Sequence, residues 1–332
     1  MNVLTGKKVL FICPRFFGYE HEIELELRRL GAHVDFYDER PFSSSIAKIF
    51  NRLNFKTIIK KQIQDYYSEI LQQATKVKYD YLFVIAPETM TANFILDFKS
   101  KNNKVKTILY LWDSIENKKN ALGLVQYFDK VVTFDKNDSI VDHKIAFLPL
   151  FYIEAYGGDY NAKRKLSYDL AFIGTAHSGR YNLVNQIVEN IQSENTNNFL
   201  FFFSPSKLLF LLKKILTNEL SGISIKNISF QPMAFREVIN ILGDSRVVID
   251  IEHPSQNGLT MRTIEMLGMQ KKLITTNKNV MEYDFYNPVN ILVVDRKDLS
   301  IDTSFLRTEY QPVDAKIREN YSLSSWLMNL FS

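Results

Sequence analysis

The residues with the clearest chemical possibilities lie in HPSQNGLTMRTIEMLG, His253 to Gly268. A polar turn containing Gly258 precedes a run whose apolar positions Met261, Ile264 and Leu267 recur at helical spacing. With Thr260 as N-cap, its hydroxyl satisfies an early amide. The first-turn amides, reinforced by the helix dipole, then form a site for a phosphate or diphosphate. Gly258, between Asn257 and Leu259, lets the backbone approach such an anion. Arg262 can reach phosphate oxygens with its planar fork. Glu265 lies about 7 Å along the helix from its start, at roughly 1.5 Å of rise per residue, a distance that suits ribose hydroxyls. The same residues also suit a structural role, in which the turn only connects two elements and Arg262 and Glu265 form a surface ion pair.

A second polar turn, Gly174 to Arg180, follows YDLAFIG. Its glycines permit close backbone approach, and Thr175 and Arg180 can donate to a diphosphate. A plain strand-to-helix turn with a solvated Arg180 fits the pattern as well. Asp113 follows VKTILYLW, where a carboxylate can take a proton from a hydroxyl or cap a helix, and Glu88 after YDYLFVIAP has the same two options. His253, at a strand end, is a second candidate catalytic contact, although a lone histidine there also serves as a hydrogen-bonding residue. Asp250 and Glu252 alternate on one strand with limited mutual reach, so no metal is expected.

These groups need a scaffold. KVLFIC, AHVDFYD, YDYLFVIA, VKTILYLW and DKVVTF are short apolar runs separated by helical or polar stretches, one of them a Lys-rich helix from about Ile46 to Thr75. Such alternation implies a parallel sheet covered by helices, with its functional loops (PRFFGY, PETM and DSIEN among them) at the carboxyl ends of the strands. After the Pro-, Gly- and Lys-containing segment Phe147 to Ser167, read as an interdomain connection, the alternation restarts with YDLAFIG and FLFFF. It continues with a strand near ISIKNISF, then RVVIDIE, KKLITT and NILVV. The expected fold class is α/β, with two Rossmann-like parallel-sheet lobes and an interdomain crevice. Their expected bounds are 1–150 and 166–312, with helical residues 313–332, interrupted near Ser322 to Ser325, packing back toward the first lobe.

The bulk properties agree with two cores: 332 residues, 46% hydrophobic. A net charge of +4, dispersed along the chain, argues against nucleic acid as a partner. The single cysteine, Cys13, cannot close an intramolecular disulfide, and the first residues do not read as a secretory signal, so a cytoplasmic location is expected. No apolar run reaches the roughly 20 residues needed to span a bilayer. FLFFFSPSKLLFLLKKILTN, from Phe199, carries a helix with leucines on most sides next to Lys213 and Lys214. That helix suits a domain core or, alternatively, the headgroup region of an anionic membrane.

HPSQNGLTMRTIEMLGMQKKLITTN resembles the donor-binding segment of group-1-type glycosyltransferases with the GT-B fold. It is similar above all to a branch of bacterial lipopolysaccharide and exopolysaccharide biosynthesis proteins. YLWDSIENKKN, FDKVVTFDKNDS and YDLAFIGTAHSGRY are similar to the same branch. The resemblance implies transfer of a sugar from a nucleotide-sugar donor to a saccharide or lipid-linked saccharide acceptor, with no cofactor beyond the donor. It also implies an acceptor-binding first lobe, a donor-binding second lobe, and a ribose-contacting role for Glu265. The chain departs from the wider group at Asn257, where a glutamate stands eight residues before the ribose-contacting one, and in a Pro-Ser to glycine spacing one residue shorter. A retaining mechanism is therefore not carried over. If the enzyme inverts, the resemblance places the general base in the first lobe, with Asp113 the first choice. A nucleotide-sugar epimerase of the same fold and a non-catalytic nucleotide-sugar-binding partner of a transferase are the alternatives.

Overall fold

A computed structural model describes residues 3–40, 56–115, 119–158, 160, 166–177, 179–191, 196–216, 220 and 222–332. The chain divides into two units, Met1–Pro149 with Leu323–Ser332, and Leu150–Ser322.

The first unit is built on six strands: β1 (Lys8–Cys13), β2 (His33–Asp38), β3 (Tyr81–Ile85), β4 (Lys106–Leu111), β5 (Lys130–Thr133) and β6 (Ile145–Phe147). Their order is β2-β1-β3-β4-β5-β6, and every pairing is parallel. Every residue of YLFVI in β3 is buried, the pattern of a strand covered on both faces. One cover consists of α2 (Lys56–Ala74) and α3 (Ala92–Lys101), whose Ile63, Tyr67, Phe94 and Phe98 meet Leu10, Leu82 and Leu109. The N-cap of α3 is Thr91, whose hydroxyl accepts the Phe94 amide. Helix α1 (Tyr19–Arg29) follows β1 and buries Ile23 and Leu27, while α4 (Lys136–Val141) follows β5. The last nine residues before Ser332, apart from it, form the terminal helix Leu323–Phe331, which lies on this sheet. Its Phe331 ring meets Tyr81 at 5.0 Å and Phe83 at 5.3 Å, and Trp326 meets Tyr110 at 4.7 Å.

The second unit has five parallel strands in the order β11-β10-β9-β7-β8: β7 (Tyr168–Thr175), β8 (Asn198–Phe203), β9 (Ser245–Asp250), β10 (Lys272–Thr275) and β11 (Ile291–Val293). Its longer helices are α5 (Arg180–Ile191), α6 (Lys207–Leu216), α7 (Phe235–Gly243) and α8 (Met261–Met269). The core joins Leu170 and Phe172 of β7 with Val184 and Ile187 of α5 and with Ile249 of β9.

Several expectations change. ISIKNISF forms no strand; Ile225–Asn227 is a single 3-10 turn, and Phe203 and Ser229 share only an isolated bridge. Here Ser224 and Ser229 hydroxyls bond to nearby backbone, offering it a local alternative to a ladder. Strand β6 is too short, at three residues, to stand out in the sequence. The segment read as a connection is packed structure from Leu150: Phe151, Ile153 and Tyr156 are buried, with residues 159 and 161–165 outside the described set. The tail holds two helices, Ala315–Asn320 in the second unit and Leu323–Phe331 in the first. Helix α6 buries Phe210 but exposes Leu208, Leu211 and Ile215, so it is not enclosed all round. Among the described residues, no helix is long and apolar enough to cross a membrane.

Candidate functional site

In the second unit the candidate residues gather at the carboxyl ends of three neighbouring strands, β7, β9 and β10, the edge where open parallel sheets bind ligands. Thr260 is the N-cap of α8: its backbone is extended (φ −73°, ψ 161°) and its hydroxyl accepts the Thr263 amide. The same hydroxyl donates to Asp250 at the end of β9, and the Thr263 hydroxyl donates to the same oxygen at 2.8 Å. Asp250 therefore ties the strand end to the helix start. Burial pushes its carboxyl above the usual range, opposed by the two threonine hydroxyls and by Arg180. Glu252 has a similar anchoring position. It accepts from Arg296 at 2.9 Å and from the Thr276 hydroxyl.

The turn before α8 is held from β10. The side-chain amide of Asn277 donates to the Gly258 carbonyl at 3.2 Å, and that of Asn279 donates to the Asn257 carbonyl at 2.9 Å. Asn257 is exposed, whereas Gly258 and Leu259 are buried. His253 sits at the start of this turn, with Nδ1 2.7 Å from the Ser255 hydroxyl. Its ring lies 5.9 Å from that of His177, so the turns after β7 and β9 meet.

Packing and backbone conformation account for the glycines of the turn after β7. A Cβ on Gly174 would come within 2.8 Å of the Phe172 ring, and Gly179 takes a left-handed conformation at φ +74°. Arg180 Nη1 reaches the Thr175 hydroxyl at 3.3 Å, while its Nε is buried with no hydrogen-bond partner. Burial lowers the guanidinium's pKa, and the nearby carboxylates of Asp250 and Glu252 raise it.

On α8, Arg262 and Glu265 pair at 2.5 Å, and the Glu265 side chain is only 5% exposed. Instead of reaching forward toward the turn, the guanidinium is held on this carboxylate. Tyr156 joins them: burial and the Glu265 carboxylate push its hydroxyl above the usual tyrosine range. Nothing in the sequence marks Tyr156 as a neighbour of Glu265. Asn277, Asn279 and Arg296 are legible only as residues following strands β10 and β11.

In the first unit, Asp113 is half-buried just beyond β4, and the next residue, Ser114, donates its hydroxyl to Asp135. Glu116 and Asn117 lie outside the described residues. The amide of Glu88 donates at 2.8 Å to Glu39, a fully buried carboxyl beyond β2 that sequence reading missed. Glu39 Oε1 also accepts the Thr89 and Met90 amides at 2.5 and 2.9 Å, and burial raises its pKa to about 7.

No protein-family model matches the sequence. No curated protein matches it either. Among solved structures, the chain is similar to HepE of Anabaena in complex with UDP and glucose, with 10% identity, 97% of this chain and 98% of that chain covered, and a TM-score of 0.62. The chain has the GT-B fold. It is also similar to sucrose-phosphate synthase from Thermosynechococcus elongatus, at 9% identity, 97% of each chain and a TM-score of 0.61. The UDP-GlcNAc 2-epimerase of Methanocaldococcus jannaschii, in complex with UDP-GlcNAc and UDP, shares the fold at 13% identity, 98% of this chain and 99% of that chain, with a TM-score of 0.52. At these identities, the fold is what is shared.

Proposed function

We propose that this chain is a glycosyltransferase that moves a sugar from a nucleotide-sugar donor to a saccharide or lipid-linked saccharide acceptor in bacterial surface polysaccharide synthesis. The observation that carries the reading is Arg180: a partly buried guanidinium whose Nε is enclosed with an unmade hydrogen bond, on the strand-end turn that meets the turn leading into α8. A buried donor of this kind calls for an acceptor, and a diphosphate supplies one. The donor's diphosphate would lie against Gly174, Thr175, Arg180 and the turn Asn257 to Thr260, with α8 amides and dipole adding to the field. Arg262 and Glu265 would meet the ribose and phosphate end together. That this fold occurs in a complex of HepE with UDP-glucose supports the assignment.

In the reaction, an acceptor oxygen forms the bond to the donor's anomeric carbon as the bond to the diphosphate oxygen breaks. The diphosphate leaves with the electron pair, and the acceptor's proton passes to a base. Asp113 is assigned that role for an inverting outcome, with His253 as a contact to the donor. Positive groups aimed at the leaving diphosphate stabilise the charge as it develops. We assign no metal to the step. A cytoplasmic location at the inner face of the membrane fits a lipid-linked acceptor, and the exposed Leu208, Leu211 and Ile215 of α6 provide an apolar stripe for peripheral contact.

The test is a thermal-shift screen against UDP, GDP, CMP and dTDP with their sugars. One nucleotide should stabilise the protein, and Arg180→Ala should lose that response; if none stabilises the wild type, the reading falls. The epimerase fold neighbour motivates a second reading, which product analysis separates: an isomerised nucleotide sugar formed without acceptor would favour it.

A further inference from the structure

The loop after β1 in the first unit places two aromatic side chains in solvent. Phe16 is 43% and Phe17 62% exposed. Phe17 has φ +52°, a left-handed conformation unusual for a bulky residue, and the adjacent Gly18 at φ +87° allows the loop to turn straight into α1. Backbone strain of this kind persists where surroundings enforce it. Here the Phe16 amide is held by Glu20 at 2.9 Å, the Phe16 carbonyl by the Tyr19 amide, and the Arg15 carbonyl by Arg40. The loop is fixed in a shape that displays the rings.

A third ring completes the surface. Trp112, half-buried just beyond β4, lies 5.6 Å from Phe16 at 45°, and Phe16 lies 4.7 Å edge-on to Phe17. The placement matters topologically. With strand order β2-β1-β3-β4, chain connections leave β1 and β3 in opposite directions, and the gap this opens at their carboxyl ends is where a ligand enters such a sheet. The aromatic cluster joins the loops that follow β1 and β4, on either side of β3 at this end of the sheet, with hydrogen-bonding groups beside it: Arg15 pairs with Asp38 at 3.5 Å, and Asp113 follows Trp112.

We propose that Phe16, Phe17 and Trp112 form a stacking platform for a pyranose ring of a neutral saccharide. The C–H face of a pyranose carries slight positive charge and is apolar, matching the negative face of an aromatic ring. Its edge carries hydroxyls, which the carboxylates and guanidinium at the rim can bond. An acyl chain would find no partner for these charged groups, so the rim favours a sugar. Calling this saccharide the acceptor rests on the transferase reading; the platform itself does not.

Trp326 is buried in the first unit's core, so the solvent-sensitive tryptophan emission reports on Trp112. The full-length protein would be titrated with hexasaccharides of glucose, galactose, mannose and N-acetylglucosamine, with UDP response measured in parallel. At least one saccharide should shift Trp112 emission to the blue and reduce acrylamide quenching. Phe17→Ala should weaken that response about tenfold, the loss expected for one stacked ring, while Phe17→Tyr keeps it. The platform is refuted if no saccharide moves the emission, if Phe17→Ala responds like the wild type, or if dodecylphosphocholine micelles alone produce the change. Saccharide response without any nucleotide response would leave the platform standing and remove the transferase reading.

Discussion

Glu265 receives the Arg262 guanidinium at 2.5 Å on the first turns of α8, and both side chains are largely withdrawn from water. A nucleotide whose ribose bonds Glu265 must therefore share the carboxylate with Arg262 or displace it. Removing Glu265 alone strands a partly buried cation, which costs about 2–4 kcal/mol by analogy with broken buried pairs. Glu265→Ala should lower urea stability by that order and abolish stabilisation by the nucleotide. The double variant Arg262→Ala/Glu265→Ala should regain part of the stability and none of the nucleotide response. If the double variant recovers nucleotide binding, Glu265 is only a structural partner of Arg262.

If the donor's diphosphate lies against Arg180 as proposed, variants there should separate phosphate recognition from base and ribose recognition. Arg180→Ala should weaken nucleoside diphosphate binding by at least about tenfold, roughly 1.4 kcal/mol, while changing affinity for the bare nucleoside little. Arg180→Lys keeps a charge without the planar fork and should restore only part of the loss. Isothermal titration with UDP and uridine, or the corresponding pair for another base, measures both. Equal losses for both ligands would place Arg180 in general packing of the turn.

Much of this arrangement is legible from local signals. Apart from the three-residue β6, the strands of both sheets read as short apolar runs, most clearly the fully buried β3, and Thr260 reads as an N-cap because the helical period starts directly after it. Pairwise geometry is another matter. That Asp250 would give one oxygen to both Thr260 and Thr263, or that Asn277 and Asn279 would hold carbonyls 19 and 22 residues away, depends on strand register, which no local pattern supplies. Tyr156 and Glu39 are illegible in the sequence for the same reason. A segment rich in glycine and proline reads as a linker until the sites its aromatic residues fill are known, and a carboxylate just past a strand gives no sign that it will be buried.

Glu39 makes a pH prediction with a definite sign. Three backbone amides favour its anion, yet burial prevails and raises its pKa from 4.5 to about 7. Between those values the folded chain holds a proton that the unfolded chain has lost. Glu39 thus contributes stability fully below the unfolded value, and that contribution is lost as pH rises through about 7. Glu39→Gln keeps an acceptor for the amides and removes the titration. Relative to this variant, the wild type should lose about 1 kcal/mol per pH unit across the window. Parallel stability curves for the two proteins from pH 4 to 8 would show that the carboxyl titrates normally.

Gly268 lies one turn beyond Glu265 on the same helix, where general propensity favours alanine by about 1 kcal/mol. The packing predicts the reverse. A Cβ there would stand 2.6 Å from Cγ of Tyr152 and 2.9 Å from the Tyr156 carbonyl oxygen, and neither partner is the free end of a flexible side chain. Tyr152 is fixed through its amide, which donates to the Tyr321 carbonyl at 2.8 Å, and Tyr156 packs edge-on against Phe235 of α7. Accommodating the methyl means shifting α8 or the 152–156 segment, at a cost of about 1–3 kcal/mol for overpacking that outweighs the propensity gain. Because Tyr156 also adjoins Glu265, the shift should reach the nucleotide response before it unfolds the chain. Gly268→Ala should therefore lower the urea midpoint and weaken nucleotide binding, whereas Gly243→Ala, at the end of α7, should leave nucleotide binding intact. A stabilised Gly268→Ala with normal nucleotide binding would mean that α8 is not held against this segment as closely as the distances require.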